Sequence, residues 1–106
     1  MVEQTKETPI LDLLASMTAE SIEVSNLDQQ SLMLVRLAAL VAVDAPPASY
    51  LLNLEAAGEV GIGEEQVRGV LAAVAPIVGT PHVVSATGNI ARALGIAIEL
   101  ADLEDE

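Results

Sequence analysis

Residues 34–47 read LVRLAALVAVDAPP, an apolar run that ends in two adjacent prolines. Arg36 is the only charged residue before Asp44, and a helix that is apolar nearly all round belongs in the interior of a domain. Proline disfavours a helical conformation in the residue before it, so the run ends at this break. The pattern predicts a central helix over residues 28–43, with Asn26 or Asp28 as its cap.

Three more helices are predicted downstream of this break. Pro47 is suited to open a helix that runs through Ala57 and ends in a glycine-rich turn at residues 58–63. The next helix starts with paired acids at Glu64, where negative charge complements the helix dipole, and it is bent or ended by Pro76. A last helix is expected over residues 81–100, with Thr80 and Pro81 as its cap and first turn.

Upstream, the chain is expected to begin with a flexible arm at residues 1–8. A short helix then starts at Pro9, with an apolar stripe at a spacing of three and four residues through Met17. Residues 18–27 are polar and predict a connector. We expect a single domain over residues 9–101 and an acidic tail at residues 102–106.

Composition favours an all-α protein that associates with itself. Hydrophobic residues make up 52% of the 106 residues and aromatic residues only 1%, so the core must be aliphatic. The mean hydropathy of +0.51 is high for a soluble domain of this length. Because large exposed apolar patches usually mark interfaces, we expect part of this surface to lie between subunits of a homo-oligomer.

The charge and the rare residue types exclude several functions. A net charge of −12 argues against nucleic acid and against anionic membrane surfaces as partners. The absence of cysteine excludes disulfides and thiolate chemistry, and a single histidine excludes a zinc site of several histidines within one chain. We therefore predict no cofactor and no metal. The polar first residues are not a signal peptide, so a cytoplasmic protein is expected.

The order of these segments resembles one protein family. The pieces are LVRLAALVAVDAPP, SYLLNLEAAGEVGIGEEQV and VLAAVAPIVGTPHVVSA, which together carry a proline break, a glycine turn with paired acids, and a Gly-x-Pro stop. In this order they resemble carboxymuconolactone decarboxylase-like and alkylhydroperoxidase D-like proteins over about residues 10 to 100. The resemblance implies an antiparallel helical bundle of the alkylhydroperoxidase D-like type, assembled as a trimer or hexamer.

The reactive residues of that family are missing here. The peroxidase branch carries Glu-x-x-x-Cys-x-x-Cys-x-x-x-His, and aligned on the proline break its four positions fall at Ala42, Pro46, Ser49 and Asn53. Without the two thiols no peroxidase activity is expected. The lactone decarboxylase branch keeps the histidine, and tends to have Glu and Tyr where this chain has Gly69 and Ile77. Asn53 can hydrogen-bond a ligand but cannot shuttle a proton near neutral pH.

Six residues remain as candidates, each with an ordinary structural alternative. His82 lies in a first helical turn, where the dipole favours the neutral imidazole of a base; alternatively it is an exposed or interface residue. Arg36 and Arg92 can clamp an anionic substrate, or can form salt bridges, for example with Glu55.

The other candidates are Ser49, Tyr50 and Asn53, which share a helix face and can line a small polar pocket, or can simply pack. Glu55 and Glu59 are also paired along a helix, and a solvated face is their expected role. We predict a non-redox small-molecule-binding or structural protein. The alternative is a cofactor-free lactone-type decarboxylase or isomerase that holds a small anionic substrate with His82, Asn53 and an arginine.

Overall fold

The computed structural model describes the backbone of residues 8–105 and the side chains of residues 8–95, and over this part the protein is all-α. Five helices follow one another without a strand among the described residues. They are α1 (Pro9–Ser25), α2 (Gln29–Ala42), α3 (Pro47–Glu59), α4 (Glu64–Val78) and α5 (Thr80–Asp105). The predicted arm at residues 1–8 falls outside the described residues except for Thr8, and the side chains of the predicted tail at residues 102–106 fall outside them too.

The predicted central helix is confirmed as α2. Its cap is Asp28, whose carboxylate accepts a hydrogen bond from the backbone N–H of Ser31 at 3.1 Å. At the other end Asp44 takes the left-handed conformation (φ 56°), and the N–H of Ala45 reaches back to the carbonyl of Leu40 at 3.0 Å. This is the hydrogen-bond pattern of a Schellman ending, which satisfies the last carbonyls of a helix. Packed against α3, α4 and α5, α2 lies at the centre of the bundle.

The glycine-rich turn after α3 ends that helix in the same way. Gly61 has a φ of 89°, and the N–H of Ile62 bonds to the carbonyl of Ala57 at 3.0 Å. A side chain at Gly61 would also meet the amide of Gln30, whose Nε2 donates to the carbonyl of Val60 at 2.8 Å. The turn therefore needs glycine for its backbone angle and for its contact with α2.

The prediction of a polar connector at residues 18–27 is wrong, because α1 continues through Ser25. The hydroxyl of Ser21 donates to the carbonyl of Thr18, and that of Ser25 donates to the carbonyl of Ile22. Such bonds to the preceding turn allow serine to stay within a helix. Only residues 26–28 then connect α1 to α2, with Asn26 in the left-handed conformation (φ 56°). The last helix is also longer than the predicted range of residues 81–100.

The core lies between α2, α3 and α5. Val41 and Tyr50 are completely buried at its centre, and the residues around them are small or aliphatic: Leu37, Ala45, Ala86, Ile90 and Ala93. The single aromatic residue thus fills the middle of an otherwise aliphatic core. None of the described helices is both long and apolar enough to cross a membrane.

Helix α1 is not part of this core. It has no buried residue and makes few contacts with the other helices. Its large hydrophobic side chains, called here the apolar stripe of α1, are all exposed: Ile10, Leu11, Leu13, Leu14, Met17, Ile22 and Val24. The radius of gyration is 15.5 Å, larger than the roughly 13 Å of a compact domain of this length. The bundle of α2–α5 therefore carries a helix that stands off its surface.

Candidate functional site

A groove separates α1 from the surface formed by α2 and α3. Its volume is about 500 Å³, and it is open to solvent. Its walls are mainly apolar, with one cation and a few neutral polar groups. The lining residues are Leu14, Met17, Thr18, Ser21, Met33, Arg36, Leu52, Asn53 and Ala56. We call this space the α1 groove.

Arg36 is the only charged side chain that lines the α1 groove. It is half-buried on α2, and its Nη2 donates to the hydroxyl of Ser21 and to the carbonyl of Thr18, the latter at 3.4 Å. A salt bridge between Arg36 and Glu55, one of the alternatives from sequence, is not formed, and among the side chains of residues 8–95 the only ion pair joins Arg68 to Glu64 at 2.6 Å. Arg36 therefore ties α1 to α2 through neutral acceptors, and its charge is not neutralised by a carboxylate in that part of the chain.

Asn53 lines the same groove from α3. Its Nδ2 donates to the backbone carbonyl of Ser49 at 2.9 Å, one turn earlier in the helix. This bond fixes the amide orientation and leaves Oδ1 as an acceptor for a ligand. Ser49 contributes its backbone to this arrangement and does not line the groove. Two of the predicted site residues, Arg36 and Asn53, are thus brought together by the fold.

Tyr50 lies in the core rather than in the groove. Its side chain is completely buried, and its hydroxyl has no hydrogen-bond partner. Burial raises the pKa of the Tyr50 phenol above its usual value of 10.0, and the negative charge of Asp44 raises it further. Asp44 itself accepts a hydrogen bond from the Ser85 hydroxyl at 2.6 Å, which ties the end of α2 to α5.

His82 and Arg92 both lie on α5, and they line neither the α1 groove nor the two other cavities described below. His82 is half-buried, and Arg92 is exposed, with its Nη1 donating to Oδ1 of Asn89 at 3.3 Å. Asn89 in turn donates to the carbonyl of Ala45 at 3.1 Å, so its amide links α5 to the turn after α2. The structure does not assemble Asn53, Tyr50 and His82 into one pocket.

A second groove of about 500 Å³ lies between α3, α4 and α5. Its walls are aliphatic, and its charged residues are Glu64 and Arg68, which pair with each other. A smaller cavity of about 110 Å³ near Glu55 is almost entirely apolar. Because its cation is already neutralised, the second groove is less suited to an anion than the α1 groove is.

Sequence reasoning did not identify Thr18, Ser21 and Met33 as site residues. The first two lie in the segment whose polar residues predict a connector, so the sequence does not place an α1 wall beside the groove. The available signal was the continuation of the apolar stripe through Ile22 at helical spacing. Helical spacing also gives a signal for Met33 on α2, because it and Arg36 are three residues apart and therefore share a helix face.

The α1 groove can bind but offers little for chemistry. A guanidinium binds carboxylates through two parallel hydrogen bonds, and methionine and leucine walls suit an apolar body. No carboxylate or imidazole is among its lining residues, so it has no group that transfers protons near neutral pH.

Comparison with known proteins gives no further guide to the site. A scan against models of protein families finds no match, and neither a search of curated proteins nor a search of solved structures finds a similar chain.

Proposed function

We propose that this protein is an oligomeric small-molecule-binding protein whose α1 groove takes a small amphipathic carboxylate. The observation that carries the proposal is Arg36, a half-buried cation that faces an apolar groove without a carboxylate partner among the described side chains. Charges in such places are normally paired, so a bound anion would supply the missing partner.

The groove has the size and the polarity for such a ligand. Its volume of about 500 Å³ lies within the range of roughly 300–1,000 Å³ typical of small-molecule sites. Arg36 offers charged donors to a carboxylate, while Leu14, Met33 and Leu52 provide apolar walls. A ligand with a carboxylate head and an apolar body matches both parts.

Binding is favoured over catalysis by the residues that line the groove. The decarboxylase or isomerase alternative requires a group that moves a proton, and the chain has a single histidine, His82, as the side chain best suited to that role. His82 does not line the groove. A peroxidase role would need thiols, and the 106 residues contain no cysteine.

The kinship to carboxymuconolactone decarboxylase-like proteins remains part of the proposal. It rests on the order of the proline break, the glycine turn and the Gly-x-Pro stop, together with the all-α structure that accompanies them. An alkylhydroperoxidase D-like arrangement of the bundle is the corresponding expectation, and an experimental structure of the oligomer would test it.

Isothermal titration calorimetry with matched ligands tests the binding proposal. We expect octanoate and phenylacetate to bind, and octanol and octylamine, which lack the carboxylate, to bind at least tenfold more weakly. Arg36→Gln should weaken carboxylate binding by roughly ten- to a hundredfold, since hydrogen bonds to charged groups contribute about 1.5–3 kcal/mol.

Two variants separate the ligand contact from other effects of the Arg36 substitution. Arg92→Gln removes an exposed arginine of the same charge and should leave binding unchanged. Ser21→Ala removes one of the two hydrogen bonds between Arg36 and α1 but keeps the cation, so binding should persist. Equal binding of carboxylates by wild type and Arg36→Gln would refute the assignment of the groove as an anion site.

A further inference from the structure

The apolar surface of this protein is concentrated on one helix. Of the 14 large hydrophobic side chains that are exposed among those described, seven lie on α1, and they are 48–81% exposed. The other seven are distributed over the connections and the four remaining helices. An amphipathic helix with its apolar face in water normally indicates a contact with another molecule.

The arrangement of side chains around α1 separates this apolar face from its charges. With about 100° between successive residues, the apolar stripe covers roughly half of the helix circumference, centred near Leu14 and Ser21. Asp12 and Glu23 fall on the opposite side, and Glu20 lies just outside the stripe, about 20° from Leu13. The helix therefore presents one apolar face without acidic residues and one acidic face.

The stripe is wider than the groove that it borders. Leu14 and Met17 line the α1 groove, but Ile10, Leu11, Leu13, Ile22 and Val24 do not. These five side chains extend the apolar surface beyond the groove. A partner that lies on this surface would therefore also cover the opening of the groove.

The area of the stripe matches what a stable dimer requires. Each aliphatic side chain presents roughly 100 Å² of apolar surface when fully exposed, so the stripe exposes on the order of 400 Å². Two stripes in contact would bury about 800 Å² of apolar surface. Since about 60% of an interface is apolar, the total would be about 1,300 Å², within the range of roughly 1,200–2,000 Å² of specific interfaces.

The charge distribution favours a second copy as the occupant. With a net charge of −12, most contacts between two copies would bring acidic surfaces together. A contact through the two apolar stripes reduces this repulsion, because Asp12 and Glu23 then point away from the partner. An anionic membrane surface would repel the same chain.

We propose that two copies pair through the apolar stripes of their α1 helices in a two-fold contact, and that each α1 covers the open side of the partner's α1 groove. The same surface meets itself in such a contact, so the assembly contains an even number of subunits. The second part of this inference rests on the proposed function, because it makes the carboxylate site complete only in the paired protein.

Size-exclusion chromatography with light scattering, at tens of micromolar, tests the pairing. The expected mass is an even multiple of the 11.0 kDa subunit. The double variant Ile10→Glu and Leu13→Glu places charges in the stripe and should halve that mass. The double variant Ser16→Glu and Ala19→Glu adds the same charge on the acidic face and should keep the wild-type mass.

Every other outcome would overturn the pairing. A wild-type monomer or trimer excludes a two-fold contact. An even oligomer that resists the charges in the stripe places the interface elsewhere, and an oligomer that both double variants split depends on total charge. Circular dichroism should show unchanged helix content in both, since all four substituted residues are exposed.

Octanoate titrations distinguish this inference from the proposed function. If both hold, the stripe variant binds octanoate at least tenfold more weakly while keeping Arg36. An even oligomer that does not bind any carboxylate would leave the pairing intact and refute the proposed function. A monomer that binds octanoate in an Arg36-dependent way would refute the pairing alone.

Discussion

The core around Tyr50 and the apolar stripe of α1 are built from similar side chains but differ in what covers them. Val41 and Tyr50 are completely buried by α2, α3 and α5, whereas no residue of α1 is buried. Both regions have hydrophobic residues at helical spacing. Periodicity therefore identifies the face that avoids water, and only tertiary structure shows whether the same chain covers that face.

Truncation of a core side chain should have the largest effect on the free energy of unfolding. Tyr50→Ala removes a fully buried ring from an aliphatic core and should lower the free energy of unfolding by about 3–5 kcal/mol. The matched change on α1, Leu11→Ala, should alter it by less than about 0.5 kcal/mol in the monomer, because the side chain is already in solvent. Urea unfolding at protein concentrations too low for association measures both, and a similar loss in the two variants would mean that α1 packs on its own bundle.

The sequence predicts the bundle much better than it predicts α1. The cap at Asp28, the start of α3 at Pro47 and the glycine turn at Gly61 depend on neighbouring residues along the chain, and the structure confirms them. The continuation of α1 was missed because Thr18, Ser21 and Ser25 are typical of a connector. Their hydroxyl and carbonyl groups bond within the helix instead, a choice that short-range patterns do not settle.

The candidate site could also be predicted only in part, because contacts between helices do not follow from spacing along the sequence. Arg36 and Asn53 were identified from sequence, and the structure places both on one groove. A spacing of three residues predicts that Tyr50 and Asn53 share a helix face. Three residues turn a helix by about 300°, so the two side chains point about 60° apart, which is enough to place Tyr50 in the core. A salt bridge, for example to Glu55, is one of the roles that the sequence allows Arg36, but its partners in the structure are the Ser21 hydroxyl and the Thr18 carbonyl on α1. These contacts depend on how two helices meet.

Removal of the Tyr50 hydroxyl should change the free energy of unfolding by a smaller amount and in the opposite direction. The Tyr50 hydroxyl is buried without a hydrogen-bond partner, and a polar group left in that state costs stability. Tyr50→Phe should therefore raise the free energy of unfolding by about 1 kcal/mol. Thermal and urea unfolding of the two proteins measure the difference, and a clear loss of stability would show that the hydroxyl has a partner, for example a bound water.

Alkaline pH should reveal the same buried hydroxyl in the wild-type protein. The pKa of Tyr50 is raised above 10.0 by burial and then by Asp44, so the unfolded chain loses this proton at a lower pH than the folded chain. The folded state then binds more protons, and the free energy of unfolding must fall as the pH rises above about 10 until the folded pKa is passed. Because the chain has one tyrosine and no tryptophan, tyrosinate absorbance follows this titration directly.

Comparison with Tyr50→Phe isolates that effect from other alkaline titrations. The variant cannot ionise at position 50, so its stability should depend less on pH than that of the wild type in this range. Equal pH dependence of the two proteins, or a Tyr50 that titrates at its ordinary pKa in the folded state, would contradict complete burial of the ring.

The smallest expected effect on stability comes from Asp28, an exposed residue in the connection between α1 and the bundle. Asp28 caps α2 three residues after α1 ends, and the pKa of its carboxyl lies below the usual 3.8, because of hydrogen bonds from the Ser31 side chain and then from the Ser31 backbone N–H. Asp28→Ala should lower the Tm slightly at neutral pH by freeing that N–H. The aspartate's contribution is present above pH 3.8 and is lost as the pH falls below it, so the difference between wild type and variant should shrink in acid.

Two further substitutions show whether the cap or its charge matters. Asn caps helices about as well as Asp, so Asp28→Asn should keep most of the stability and lose the pH dependence. Asp12→Ala changes an aspartate in the first turn of α1, and it should leave the Tm of the bundle unchanged because α1 contributes little to the core. A drop in Tm for Asp12→Ala as large as for Asp28→Ala would mean that α1 and the bundle unfold as one unit, and the distinction between the two regions would then hold for their surfaces but not for their stability.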